Sequence, residues 1–146
     1  MSVAFDADVI VLAREVPEVR LVAEVKRSIV NLADAEAALR RYMLDRKCSI
    51  GLLVTPDRTR IYRDTFADFT PDSVQLVGDY PTSDLLNVDH VPNDDRALQQ
   101  AVRAWLDQLA AALPAALPKA DAVRGPVVQY VVPEVADGRV SSGSLG

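Results

Sequence analysis

Three side chains near the start of the sequence, those of Asp8, Glu24 and Lys26, have the types and spacing from which a reactive site could be built. Carboxylate oxygens are hard ligands for Mg²⁺ or Mn²⁺, ions that keep several waters and accept a phosphate oxygen. A lysine beside them can orient or help deprotonate an attacking water and offset the charge that develops on a phosphorane. The chain has one histidine and one cysteine, which excludes sites that need several of either.

These three side chains can meet only if two strands pair in a suitable register. Residues 3–14 and 19–27 are rich in Val, Ile and Leu and predict strands, and such short separation predicts an antiparallel hairpin. Glu24 and Lys26, two residues apart, then share a face. A turn centred on residues 16–17 sets Asp8 directly or diagonally opposite Glu24, whereas a shift of one residue would turn Asp8 to the other face.

The rest of the chain predicts a mixed α/β order of elements after this hairpin. Apolar residues recur with helical spacing in two segments, and short apolar runs bounded by turn residues predict further strands. The predicted elements are a helix at 32–47, strands at 49–55, 59–62 and 73–77, a helical turn near 82–86, a helix at 94–113 and a strand at 127–132.

Length and composition predict a single domain over residues 1–140, followed by a disordered tail at 141–146. No apolar run is long enough to span a bilayer and the start lacks a basic leader, so we expect a cytoplasmic protein without a membrane partner. The chain also lacks a glycine-rich phosphate loop, which argues against a nucleotide cofactor.

The net charge of −5 is unevenly distributed along the chain. Residues 14–63 contain eleven Lys and Arg against seven Asp and Glu, whereas residues 64–95 contain eight acids and no base. A basic half can meet phosphate, and the acidic segment would repel it. The acidic segment is typical of a solvated loop region, and it is also a candidate contact surface for a protein partner.

The run from Asp8 to Glu24-Val25-Lys26, followed by a helix and a strand, resembles the metal-binding hairpin of the PD-(D/E)XK nucleases, the restriction-endonuclease-like fold. It is most similar to the nuclease domain at the N-terminus of type I restriction enzyme R subunits. The resemblance covers about residues 3–65, leaving an irregular acidic part at 66–93 and a late part at 94–132. It implies that Asp8 and Glu24 bind Mg²⁺ or Mn²⁺, with the Val25 carbonyl as an extra ligand, and that Lys26 serves catalysis.

The chain departs from the family pattern at several places. Ala7 stands where the family often has Pro, and Ala38 stands where related nucleases often have Gln or Glu; Glu36 nearby is predicted to point elsewhere. The family core also has a helix and a strand ahead of the Asp-bearing strand. The helix at 94–113 and the strand at 127–132 could take those places, either by permuted core order or from a second subunit.

Three interpretations of function follow from the sequence. The first is metal-dependent cleavage of DNA, with Arg40, Arg41 and Lys47 as weaker candidates for contacts to the DNA backbone. The second is a catalytically inactive nuclease-like module that binds a protein partner through its acidic segment at 64–95. The third is an α/β domain unrelated to nucleases. In each case the apolar face of the helix at 94–113 needs burial, and a homodimer through this helix would provide it.

Overall fold

In the computed structural model, which describes residues 5–143, the predicted hairpin consists of β1 (Val9–Leu12) and β2 (Val19–Val25). The two strands are antiparallel, and Val9 lies opposite Ala23. This register lies within the predicted range and keeps the side chains of alternate residues on the predicted faces.

The elements after the hairpin complete a sheet of six strands, and the predicted α/β class with a mixed sheet flanked by helices is confirmed. None of the helices in residues 5–143 has the length and apolar character needed to cross a membrane. In chain order the elements are α1 (Leu32–Arg46), β3 (Ile50–Val54), β4 (Arg58–Asp64), a 3₁₀ turn (Pro71–Ser73), β5 (Val74–Pro81), α2 (Thr82–Leu86), α3 (Asp95–Ala110), a 3₁₀ turn (Pro114–Ala116), α4 (Asp121–Pro126), a π-helical turn (Val127–Val131), α5 (Val132–Val135) and β6 (Arg139–Ser142).

The strand order is β5-β4-β3-β2-β1-β6, and only β2 and β3 are parallel neighbours. A parallel pair needs a crossover, and α1 supplies it. The helix begins at the N-cap Asn31, whose side chain accepts a hydrogen bond from the N–H of Asp34, and it ends at Lys47, which adopts a left-handed conformation. Because α1 runs back along the sheet, its first turn lies near the end of β2 and its last turn near the start of β3.

The sheet is covered on both faces, so the central strands are buried on both sides. α1 packs on one face through Ala35, Leu39 and Met43, against strand residues that include Ile10, Val22 and Leu53. α3 and the helical stretch at 121–135 pack on the other face, against strand residues that include Val9, Ala23, Val25 and Leu52.

The strand predicted at 127–132 is wrong, because these residues are helical. The run is rich in valine, which favours strands, but its buried valines recur every fourth residue and form one stripe of a helix. The hydrophobic face packs into the core beside α3, and this burial overrides the local strand preference. The valines of the stripe are Val123, Val127, Val131 and Val135.

The disordered tail predicted at 141–146 is also wrong in part, because Ser141 and Ser142 belong to β6. This strand pairs antiparallel with β1, on the side away from β2, and Val140 is buried. Residues 144–146 lie outside the described residues. β6 thus forms an edge of the sheet beside β1, and its residues follow the strand predicted at 127–132.

The apolar face of α3 is buried within this chain. Leu98, Val102 and Leu109 contact the core, and the indole N–H of the buried Trp105 donates to the carbonyl of Ala116 at 2.9 Å. The reason that the sequence offered for a homodimer through this helix therefore no longer holds, and the oligomeric state stays a prediction.

α1 packs closely against the sheet at Gly51, and we expect Gly51→Ala to lower the free energy of unfolding by about 1–3 kcal/mol. A Cβ at this position would lie 2.6 Å from the sulfur of Met43 and 2.8 Å from a methyl of Leu39, both fully buried. Gly125→Ala is the matched control, since a Cβ at this position meets nothing within 4 Å and alanine is more favourable than glycine in a helix. Urea denaturation measures the free energy of unfolding of both variants. Equal values for the two would contradict a steric clash at Gly51.

Candidate functional site

Asp8, Glu24 and Lys26 lie on one face of the sheet and at one edge of it, where β1 begins and β2 ends. Asp8 directly precedes β1, and Glu24 and Lys26 stand at the end of β2, so the antiparallel pairing brings them to the same edge. They face α1, because alternation places them with Ile10 and Val22, which pack on that side. The structure therefore brings together the three side chains that the sequence singled out.

The carboxylate of Asp8 has two partners at the end of β2. Its Oδ2 accepts the backbone N–H of Val25 at 2.8 Å, and its Oδ1 accepts a hydrogen bond from Lys26 Nζ at 3.1 Å. The first contact lies just ahead of β1, which spans Val9–Leu12 within the strand predicted over 3–14. Asp8 is thus held in one orientation by neighbouring groups.

A third carboxylate, which the sequence reasoning missed, completes the surroundings of Lys26. Asp6 Oδ2 lies 3.2 Å from Lys26 Nζ, and the backbone N–H of Asp6 donates to Glu24 Oε2 at 3.0 Å. The available signal was the spacing of two residues between Asp6 and Asp8, which places both on one face of an extended chain. Asp6 is largely exposed, so water screens this ion pair more than the pair with Asp8.

Burial sets the protonation of these groups. It raises the pKa of Asp8 above its ordinary value, although hydrogen bonds from Val25 and Lys26 act in the opposite direction. It likewise raises the pKa of Glu24, against the hydrogen bond from the Asp6 backbone. For Lys26, burial alone would lower the pKa, but the hydrogen bonds with Asp8 and Asp6 outweigh it and the pKa is raised. Lys26 is therefore a cation at neutral pH.

The backbone carbonyl of Val25 is held by α3 from the opposite face of the sheet. Gln99 Nε2 donates to this carbonyl at 3.0 Å, and Asp95 accepts the backbone N–H of Arg27 just beyond it. A carbonyl oxygen has two lone pairs, so the contact with Gln99 leaves one for a ligand. Sequence reasoning missed both residues, because nothing local indicates that the start of α3 lies against the end of β2.

The residues present have the donor chemistry that a hard cation requires. Two half-buried carboxylates and one carbonyl offer oxygen ligands, and Mg²⁺ is commonly bound by one or two carboxylates with waters in its remaining positions. Over residues 5–143, no group of three or more His, Cys, Asp or Glu side chains is arranged to hold a metal ion. An ion at this edge would therefore rely on Asp8, Glu24, the Val25 carbonyl and water.

A second polar cluster continues from Glu24 across the sheet. Glu24 of β2 pairs with Leu53 of β3, Leu53 pairs with Arg60 of β4, and Arg60 pairs with Asp79 of β5. Arg60 forms ion pairs with Asp79 at 2.9 Å and with Glu36 of α1 at 3.0 Å. Glu36 thus points away from Asp8 and towards this cluster, in agreement with the sequence expectation.

The weaker candidates for DNA contacts are not at this edge. Arg40 lies with its guanidinium 5.8 Å from the ring centre of Tyr62, and Arg41 is exposed halfway along α1. Lys47 follows the last turn of α1, at the end of the sheet opposite Lys26. The structure therefore separates these residues from Asp8 and Glu24, and their contacts with DNA stay a prediction.

The acidic segment at 64–95 does not present all its acids to solvent. Five of the eight accept hydrogen bonds from this chain: Asp64 from Phe66 and Ser73, Asp68 from Thr70, Asp79 from Arg58 and Arg60, Asp94 from Ala97, and Asp95 from Arg27. These acids fix loops, start α3 or neutralise arginines; Asp64 is buried, whereas Asp68, Asp94 and Asp95 are exposed.

A comparison of the chain with models of protein families, with curated proteins and with solved structures finds no match in any of the three. What can be said of function therefore rests on the geometry of the site and on the sequence motif.

Glu36 stabilises the fold through its charge, and we expect Glu36→Gln to lower the free energy of unfolding at pH 7 by about 1–3 kcal/mol. Burial alone would raise the pKa of Glu36, but hydrogen bonds from Tyr62 and Arg60 outweigh it, so the pKa lies below its ordinary 4.5. The charged form is favoured in the folded state. Its contribution is present above pH 4.5 and is lost as the pH falls through the lowered pKa.

The difference in the free energy of unfolding between Glu36→Gln and the wild type should therefore narrow when denaturation is repeated at an acidic pH well below 4.5. Asp45→Asn is the control, since Asp45 is exposed on the same helix. A difference that stays constant between the two pH values would show that the charge of Glu36 is not the stabilising feature.

Proposed function

We propose that this domain hydrolyses phosphodiester bonds of DNA in a metal-dependent reaction, as a small nuclease of the PD-(D/E)XK type. The observation that carries the proposal is the hairpin register, which sets Asp8 beside Lys26 and places Glu24 on the same face at the same sheet edge. An ordinary surface ion pair does not require three charged side chains of two strands on one face. Half-buried carboxylates with raised pKa values, such as those of Asp8 and Glu24, are typical of functional sites.

The order of elements agrees with the restriction-endonuclease-like fold that the motif implies. The Asp-bearing strand pairs antiparallel with the strand that ends in Glu24-Val25-Lys26, and α1 leads to the parallel strand β3. β6 lies beside β1, where the family has a strand that precedes the Asp-bearing one. We infer a permuted core order, in which β6 replaces that strand and no second subunit is needed to complete the sheet.

In the proposed reaction the residues of the chain have separate tasks. Asp8, Glu24 and the carbonyl of Val25 would hold Mg²⁺ or Mn²⁺, which would act as a Lewis acid and would lower the pKa of a bound water. Asp8 and Asp6 keep Lys26 protonated and in place. Lys26 then donates hydrogen bonds to the attacking water or to the phosphate oxygens, where it offsets developing negative charge.

A second candidate function is an inactive module that binds a protein partner through the acidic segment at 64–95. The exposed aromatic side chains of Phe66 and Phe69 in this segment favour it, because isolated apolar side chains of this size are common in protein contacts. The internal contacts of Asp79 and its neighbours weigh against it. Tighter binding of a basic protein than of DNA would favour this second function.

The experiment that tests the first proposal is a titration of ¹⁵N-labelled protein with Mg²⁺ or Mn²⁺ at millimolar concentration. We expect backbone NMR changes confined to Asp8, Glu24, Val25 and Lys26, and none at those positions in the Glu24→Gln variant. Cleavage of labelled single-stranded and duplex DNA is then measured with the same ions. Absence of localised changes, together with absence of cleavage, would refute the proposal.

A further inference from the structure

Beside the proposed metal site, on the same face of the sheet, lies a groove of about 350 Å³ between the start of α1, the end of β3 and the start of β4. Leu53 forms part of its floor and is the β3 neighbour of Glu24, so the groove begins one strand away from the carboxylates. Adjacent strands are about 4.8 Å apart. A nucleic acid strand bound at the carboxylates would therefore continue directly over this groove.

The walls of the groove combine apolar surface with three arginines and two aspartates. Ile29 and Leu32, from the loop before α1 and its first turn, face the groove together with Leu53. Val30, between Ile29 and Leu32 in sequence, is fully exposed beside them. Apolar surface does not stabilise a bound phosphate, whereas the flat face of a nucleobase can pack against it.

Three arginines line the groove, Arg27, Arg58 and Arg60, and the last two differ in their freedom to contact a ligand. Arg60 is held by Glu36, Asp79 and Tyr62, so it forms a fixed wall. Arg58 bonds to Asp79 through Nε and Nη2, but its Nη1 has no partner among residues 5–143, and 52% of its side chain is exposed. Of these two arginines, Arg58 is thus the one that can turn towards a phosphate, and a guanidinium can also stack on a base.

We propose that this groove receives an unpaired nucleobase of the DNA strand that is cut, that Arg58 contacts a neighbouring phosphate, and that the domain therefore prefers single-stranded DNA. In a duplex each base is stacked and paired, so only an unpaired base can enter a groove of this kind. The inference rests on the proposed nuclease function and adds the class of substrate. Its test is binding, which does not depend on cleavage.

The first experiment measures fluorescence anisotropy of a labelled oligonucleotide in EDTA, where no metal-dependent cleavage occurs. We expect the wild-type protein to bind the single strand about 10-fold or more tightly than the duplex of the same sequence. An oligonucleotide of equal length that lacks its bases should bind as weakly as the duplex. Equal binding of all three ligands would overturn the proposal, and tighter binding of the duplex would overturn it as well.

The second experiment changes the groove itself. Arg58→Ala and Leu32→Ser should each weaken binding of the single strand about 5-fold or more. Arg58→Ala should also reduce the slope of log K against log salt by about 0.7, as expected for one lost phosphate contact. Thermal denaturation confirms that each variant is folded before binding is compared.

Matched controls are available on other surfaces. Arg103 is exposed on α3, on the opposite face of the sheet, and Arg103→Ala should leave the affinity and the salt slope unchanged. Leu76 has the same 40% exposure as Leu32 but lies on β5 outside the groove, so Leu76→Ser should have no effect on binding. Losses equal to those of the groove variants would refute a role for the groove.

The two proposals can fail separately. If the wild type cuts DNA but the groove variants bind like the wild type, the groove proposal is wrong and the nuclease function stands. If the single strand binds through the groove but no ion supports cleavage, the nuclease function is wrong and the groove is a binding site only.

Discussion

Glu24→Gln is expected to reduce metal-dependent DNA cleavage about 10³-fold or more while the domain stays folded. The change removes one of the two carboxylates that can hold the ion and keeps the size of the side chain. The remaining amide oxygen can still accept the backbone N–H of Asp6, so the end of β2 keeps its contact. Because burial raises the pKa of Glu24, removing its charge should not lower the melting temperature.

Cleavage is measured on a labelled substrate over a range of Mg²⁺ and Mn²⁺ concentrations, and folding by thermal denaturation. Glu15→Gln is the matched control, since Glu15 is exposed in the turn at the other end of the hairpin. Activity that persists in Glu24→Gln at saturating metal would exclude this carboxylate as a ligand and, with it, the proposed site.

Lys26→Met should reduce the rate of cleavage by about 10²–10⁴-fold and leave metal binding in place. The methionine keeps the aliphatic part of the side chain and removes the cation that lies between Asp8 and Asp6. Without this cation the two carboxylates repel each other more strongly and attract a divalent ion more strongly. We therefore expect metal affinity to be equal or higher while the rate falls.

The separation of rate from metal affinity identifies the role of Lys26. NMR titration gives the metal affinity, and single-turnover cleavage at saturating metal gives the rate. Lys119→Met is the control, because Lys119 is exposed beside Asn87 and makes none of the contacts of the site, so its loss should change neither quantity. A Lys26→Met variant that cleaves at the wild-type rate would reduce Lys26 to a structural ion-pair partner.

The arrangement of Asp8 and Glu24 could be predicted from the sequence because it is local. A short turn limits the registers of a hairpin, and the alternation of side chains then decides which residues share a face. In the register of the structure Val9 lies opposite Ala23, so Asp8 and Glu24 share one face. The same argument could have identified Asp6, which lies two residues before Asp8.

The residues around this core could not be found in the same way, because their partners are distant in sequence. Gln99 is far along the chain from Val25, and the ion pairs of Arg60 join β4 to both α1 and β5. Such contacts exist only after the two faces of the sheet are covered. The local sequence pattern does not indicate which end of a helix packs against which end of a strand.

The sequence by itself determined the α/β class, the first hairpin and its polar residues, since these depend on period and turn length over short distances. Tertiary structure decided that the valine-rich run at 127–132 is helical, because burial of its fourth-residue stripe outweighs strand preference. It also decided that residues 139–142 form a strand, because the free edge of β1 offers hydrogen bonds that a short polar segment could not make alone.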